Sequence, residues 1–225
     1  MSYYYDNYGG GRGGFIASIP PVTKNIVAIN ILMFIATLIN EQFMVANFAM
    51  FYPASPFFKP WQIVTHMFMH GGFWHIFFNM YTLIMFGMIL ERSLGAKRFL
   101  IFYFVTGLGA AALHTGVEWI QAQAFLANGA AVNYHNLLMT PTLGASGAIY
   151  GVLIGYAMLY PQSRLTLLFP PITFTAKWFV IIFAVIELGT GVSGLQDGVA
   201  HFAHLGGMLF GWLLIRWWRR QGKLY

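Results

Sequence analysis

The chain has 225 residues, of which 58% are hydrophobic, 18% aromatic and only 8% charged, with a formal net charge of +6. A soluble domain carries about 25% charged residues, so the composition argues against a water-facing globule and places the chain in the membrane class. The absence of cysteine excludes disulfides, iron–sulfur clusters, thiolate zinc sites and cysteine nucleophiles. The basic residues are scattered between apolar runs and form no basic face, so they read as topology markers rather than as a nucleic-acid surface.

In chain order, residues 1–14 form a Tyr/Gly-rich tail with no apolar core of its own and are expected to be disordered, the tail being taken as far as residue 20. It lacks the basic, apolar, small-residue succession of a cleaved signal peptide. Six apolar stretches follow, at roughly 22–40, 75–90, 97–117, 143–160, 177–195 and 199–217. A span needs about 20 apolar residues to cross the hydrocarbon. The fold expected is an all-α membrane protein, a six-transmembrane-helix bundle over residues 21–218 followed by a basic tail, 219–225. Tight ends fall at Pro161 after the fourth run and at Pro170-Pro171 before the fifth. The connection at 43–74, rich in Phe, Met and Trp, is too long and apolar for a simple turn and is expected to lie partly in the membrane interface.

With the amino terminus inside, Lys59 alone of the twelve basic residues falls outside. That ratio orients both termini to the cytoplasm. Glu41, Glu118, Glu187 and Asp197 then lie at or near the outer ends. The expected location is a bacterial plasma membrane.

Polar groups at membrane depth are costly and mark function or buried pairs. His75 and Asn79, four apart, share one face of the second helix. The fourth helix opens with Gly144-Ala145-Ser146-Gly147, and the sixth carries His201 and His204. Gly147, Gly151 and Gly155 form a small-residue strip, as do Gly207 and Gly211, and such strips let helices four and six approach closely. Their crossing would bring the Ser146 hydroxyl to the His204 imidazole, where a base activates a weak nucleophile. Ser146 to Tyr160 spans about 22 Å as helix, so Ser146 is expected below the outer surface, with Leu138–Leu143 lining a water-containing cavity. With Asp197 seven positions before His204 and no nearer acid, the pair is expected to work as a dyad without an acidic third member. His66 and His70 read as groups satisfying loop carbonyls, His201 as structural, and His114 and Glu187 as interhelical contacts.

These residues resemble the rhomboid family of intramembrane serine proteases over about residues 22–217. The nucleophile motif G-x-S-G is Gly144-Ala145-Ser146-Gly147, and the base motif A-H-x-x-G-x-x-x-G runs from Ala203-His204 through Gly207 to Gly211. The resemblance implies that His75 and Asn79, with the Ser146 backbone N–H, stabilise the oxyanion, and that Tyr150 packs on the catalytic histidine. Glu91-Arg92 matches the family's acidic-basic cluster after helix two. Where the family often has Trp-Arg in the first outer loop, this chain has Trp61-Gln62, which leaves that loop's internal hydrogen bonding unaccounted for. The implied activity is hydrolysis of transmembrane protein substrates through an acyl-enzyme, with no cofactor and no metal. Substrate would pass between helices two and five. The alternative is a catalytically silent relative that binds or moves membrane clients. A zinc protease fails for want of a His-Glu pair. An aspartyl protease fails because Asp6 and Asp197 are the only aspartates. A transporter lacks matching broken helices.

Overall fold

The structure is a computed structural model and describes residues 14–167, 171–193 and 200–224. Asp197 and the first thirteen residues of the expected tail lie outside that set. The described end of that tail is ordered: Phe15–Ser18 makes a single helical turn, Ile19 is buried, and the Ser18 carbonyl accepts a 2.7 Å hydrogen bond from Arg92. The tail boundary therefore falls before residue 20.

Six long helices carry the fold: α1 (Pro21–Ile39), α2 (Phe73–Leu94, with a π-helical turn at Leu83–Gly87), α3 (Ala96–Ala127), α4 (Ser146–Leu159), α5 (Ala176–Ser193) and α6 (His201–Arg220). Four of them, α1, α2, α3 and α5, are long and apolar enough to cross a membrane. The α4 helix, at 14 residues, is about 21 Å long. It is short because it sits inside the bundle: Gly147, Ile149, Val152 and Leu153 are all buried. The α3 helix runs ten residues past the expected end. Glu118, Gln121 and Gln123 are good helix formers, and nothing stops the helix before Asn128 and the positive-φ Gly129.

The core is the contact of α3, α4 and α6. The glycine strip of α4 points at α3 rather than at α6, which corrects the sequence-based expectation. A Cβ on Gly147 would lie 2.5 Å from Ala110 Cβ, one on Gly151 2.4 Å from Thr106 Cβ, and one on Gly155 2.8 Å from Phe102. The α6 helix instead lays Gly207 and Gly211 on α4 backbone, the carbonyls of Gly147 and Gly151, and Gly206 on Ala110 and the Gly109 carbonyl of α3. Three backbones thus meet where two were anticipated. In a membrane, where lipid is as apolar as leucine, such close van der Waals packing is what holds helices together.

Outward faces are apolar. Phe73, Trp74, Phe77, Phe78 and Tyr81 form an exposed aromatic ladder on α2, and Ile181, Val185, Ile186 and Val192 are exposed on α5. Apolar surface on this scale needs a lipid environment. The α1 N-terminus is capped from α2: the buried Glu91 carboxylate accepts from Val22 N, Thr23 N and Thr23 Oγ1 at 2.7–2.9 Å. A carboxylate there satisfies orphan N–H groups and complements the helix dipole.

Between α1 and α2 the chain forms short helices at Glu41–Phe48 and Gln62–Thr65 and a 3₁₀ turn at His66–Phe68. Gln62 answers the question raised by the missing arginine. Fully buried, it accepts from Phe51 N and Lys59 N and donates to the carbonyls of Ala46 and Phe57. Phe43, Phe57, Trp61, Ile63 and Val64 of this connection are exposed. One element departs from an all-α fold: β1 (Arg164–Thr166) pairs antiparallel with β2 (Thr173–Thr175), Leu165 opposite Phe174. Three threonines, Thr166, Thr173 and Thr175, and short length suit a minor hairpin between helices.

Candidate active site

Ser146 is the first residue of α4, and the segment leading to it is tied down from several directions. Met50 and Thr142 exchange both backbone hydrogen bonds, at 2.9 and 2.7 Å. Gly144 N donates to the His66 carbonyl at 3.0 Å, and His114 Nε2 on α3 lies 2.9 Å from Thr142 Oγ1. His66 is itself fixed through Nδ1, 2.8 Å from the Gln62 carbonyl. Gly144 has φ +137°, which side chains rarely adopt, and a Cβ there would meet His75 at 3.0 Å. Glycine is therefore required for two independent reasons.

His204 lies in the first turn of α6, where the contact of Gly207 with the Gly147 carbonyl sets its distance from α4. Its Nε2 is 2.8 Å from Ser146 Oγ. Tyr150, one turn after Ser146, stacks on the imidazole with centroids 4.1 Å apart and planes 5° from parallel. The pair, the motif glycines and the stacking tyrosine are all brought together. His75 faces the same point: the ideal Cβ position of Gly144 is 3.0 Å from His75 Nε2 and 3.5 Å from Ser146 Oγ. Asn79, one turn on, is buried, and its Nδ2 has no hydrogen-bond partner. A small cavity of about 20 Å³ opens beside Ser146, lined by Gly107, Ala110, Thr142, Leu143 and Ala203 among others. That is room for one water molecule. Of the Leu138–Leu143 segment, only Thr142 and Leu143 reach it; Leu138 and Met139 close a short helix, Ala131–Met139.

The expectation of a pair without an acidic neighbour is overturned. Glu187 of α5 places Oε1 2.9 Å from His204 Nδ1 and Oε2 2.6 Å from His201 Nδ1. The first contact has ion-pair distance without hydrogen-bond alignment, since Nδ1 makes no bond of acceptable angle. Tyr150 Oη donates to the same Oε1 at 2.5 Å. His201 also lies 3.2 Å from Thr190 Oγ1. Sequence separation hid this acid, because it approaches from another helix.

Glu187, His201 and His204 each offer one ligand atom, all within 4.8 Å of one another, so among the described residues this cluster is where a divalent ion would fit. The contacts of 2.6 and 2.9 Å are shorter than the roughly 3.3 Å between ligands around tetrahedral zinc. They are separations at which carboxylate and imidazole pair directly. His66 and His70 do not join a metal cluster among the described residues. His70 is buried edge-on against His75, 4.9 Å between centroids, and burial pushes its pKa down to about 3, so it is neutral at pH 7.

Fold and site together define a helical membrane protein that holds a serine against a histidine at the start of two packed helices. A Rhomboid domain model matches residues 57–221, and the chain belongs to the rhomboid family. It is 30% identical over 156 residues to the mitochondrial Rhomboid protein 1 of Saccharomyces cerevisiae, covering 68% of this chain and 41% of that one. It is 29% identical over 162 residues to Rhomboid protease AarA of Providencia stuartii, covering 68% and 54%. A third similarity, 34% over 148 residues, is to the mitochondrial presenilin-associated rhomboid-like protein of Bos taurus, covering 64% and 34%. The chain thus spans about a third to a half of the length of these relatives.

Proposed function

We propose that the chain is a serine endopeptidase that cuts the transmembrane segments of single-span membrane proteins near the outer face. The observation that carries this reading is the 2.8 Å approach of His204 Nε2 to Ser146 Oγ across two helices, beside a cavity with room for water. His204 takes the hydroxyl proton as Ser146 Oγ attacks the scissile carbonyl, then gives it to the leaving amine. Water attacks the acyl-enzyme in the second half. The Ser146 N–H, His75 and Asn79 hold the oxyanion, and the unpartnered amide of Asn79 supports that role. Tyr150 holds the imidazole plane by stacking. All six long helices cross the membrane in this reading, and the distribution of Lys and Arg sets both termini on the cytoplasmic side of a plasma membrane.

Substrate helices must unwind near the outer face, because a serine cannot reach the carbonyl of an intact helix. The test is cleavage of a single-span model substrate by the protein reconstituted in liposomes, with the products mapped by mass spectrometry. Cleavage is expected for the wild type and absent in Ser146→Ala and His204→Ala. If Ser146→Ala cuts as well as wild type, the cleavage does not come from Ser146 and the proposal fails; if wild type cuts none of a panel of such substrates, the reading of a silent client-binding relative replaces this one.

A further inference from the structure

The mechanism above gives tasks to His204 and Tyr150 and leaves Glu187, which lies directly against both, without one. Glu187 is buried on a helix that otherwise faces outward: apart from Glu187, only Ala176 and Val180 of α5 are buried. A carboxylate taken out of water on an apolar helix is costly unless it is compensated. Here both oxygens are engaged, Oε1 by Tyr150 Oη and His204 Nδ1, and Oε2 by His201 Nδ1.

We propose that Glu187 is a positioning residue of the reaction, holding the His204 ring with its proton on Nδ1 and stabilising the positive charge that the ring acquires when it takes the serine proton. This deepens the proteolytic reading and rests on it. The proton balance is simple. His204 must begin neutral with Nε2 bare, because Nε2 is the atom 2.8 Å from Ser146 Oγ. Its one ring proton then sits on Nδ1, toward a carboxylate 2.9 Å away, which favours that tautomer. As Oγ bonds to the scissile carbon, its proton moves to Nε2 and the ring becomes a cation beside Glu187. When the C–N bond breaks, the Nε2 proton leaves with the amine nitrogen and the ring is neutral again. Glu187 stays ionised throughout and neither gains nor loses a proton.

Each neighbouring contact has a part in this. Tyr150 is bound to both members, stacking on the ring while its hydroxyl holds Oε1, so it fixes the angle between carboxylate and imidazole. His201 draws on the other oxygen, which keeps the carboxylate from rotating away. The Glu187 side chain also spans α5 and α6. A displacement of α5 that admits substrate would therefore separate the acid from the base it supports. The other titratable groups toward His204 are His75 from α2 and His114 from α3, and none of the helices around it brings a second carboxylate into contact among the described residues.

The experiment compares wild type, Glu187→Gln and Ser146→Ala in detergent micelles, measuring kcat and KM for a model substrate at pH 7, with the melting temperature of each. In Glu187→Gln kcat should fall about tenfold or further while KM changes little, because the carboxylate–imidazole interaction strengthens when the ring becomes a cation in the transition state. Glu187→Asp, which keeps the charge one methylene farther away, should restore part of the lost kcat, and it carries the same test if Glu187→Gln does not fold. A kcat that holds in the variant measured, or one that falls only together with the melting temperature or with a rise in KM, overturns the proposal and leaves Glu187 a packing residue. If wild type itself neither cleaves nor differs from Ser146→Ala, the proteolytic reading has failed, and with it the role of Glu187.

Discussion

Replacing Gly207 with alanine is expected to lower the stability of the bundle by about 3 kcal/mol, or to prevent folding altogether. A Cβ at this position would lie 1.8 Å from the Gly147 carbonyl oxygen and 2.8 Å from its carbon. Both obstacles are backbone, so no side-chain rotation relieves them, and α6 would have to move away from α4. That movement would also carry His204 from Ser146, since the two side chains start from the same crossing. Gly116 of α3 is the matched control: nothing lies within 4 Å of its would-be Cβ. Gly116→Ala should be neutral or stabilise by about 0.5–1 kcal/mol through helix propensity. Thermal unfolding of the two variants in detergent, beside wild type, reads the contrast. A Gly207→Ala protein as stable and active as wild type would show that the α4–α6 contact is looser than described.

The second large effect is on rate and should leave stability alone. Asn79→Leu is expected to reduce kcat about 10²–10³-fold, the usual cost of losing one oxyanion donor, with KM little changed. Its Nδ2 is buried without a partner in the resting protein. A buried donor without a partner carries a desolvation cost of about 1–3 kcal/mol, so an apolar side chain of similar size should hold or raise the melting temperature. Loss of activity without loss of stability distinguishes a group kept for the transition state from a structural one. A parallel fall in both would assign Asn79 to packing.

Much of this architecture was legible in the residues because the signals were local. Apolar runs, with tight ends at Pro161 and Pro170-Pro171, located the helices, and G-x-S-G with A-H-x-x-G-x-x-x-G named Ser146 and His204. What stayed hidden depended on which helix faces which. The α4 glycines read as a partner surface for α6, yet their missing Cβ atoms point at Ala110, Thr106 and Phe102 of α3. A spacing of four says that a strip is flat and not what lies on it. Glu187 read as an interhelical contact, but its partner stayed hidden for the same reason: seventeen positions from His204 in the chain, it is 2.9 Å from the ring in space. The tie of His114 to Thr142 and the four hydrogen bonds of Gln62 also cross between elements. A buried acid on an otherwise apolar helix was the one available clue, because such a group has to be paired.

The central claim is that Ser146 is a nucleophile activated by His204. A serine-reactive fluorophosphonate tests it without any assumption about substrate. Wild-type protein in detergent should be labelled, with the adduct mapping to the Ser146 peptide, and labelling should be lost in Ser146→Ala and strongly slowed in His204→Ala. Labelling of Ser146→Ala at the wild-type rate, or a wild type inert to the probe while still cleaving substrate, would contradict the account.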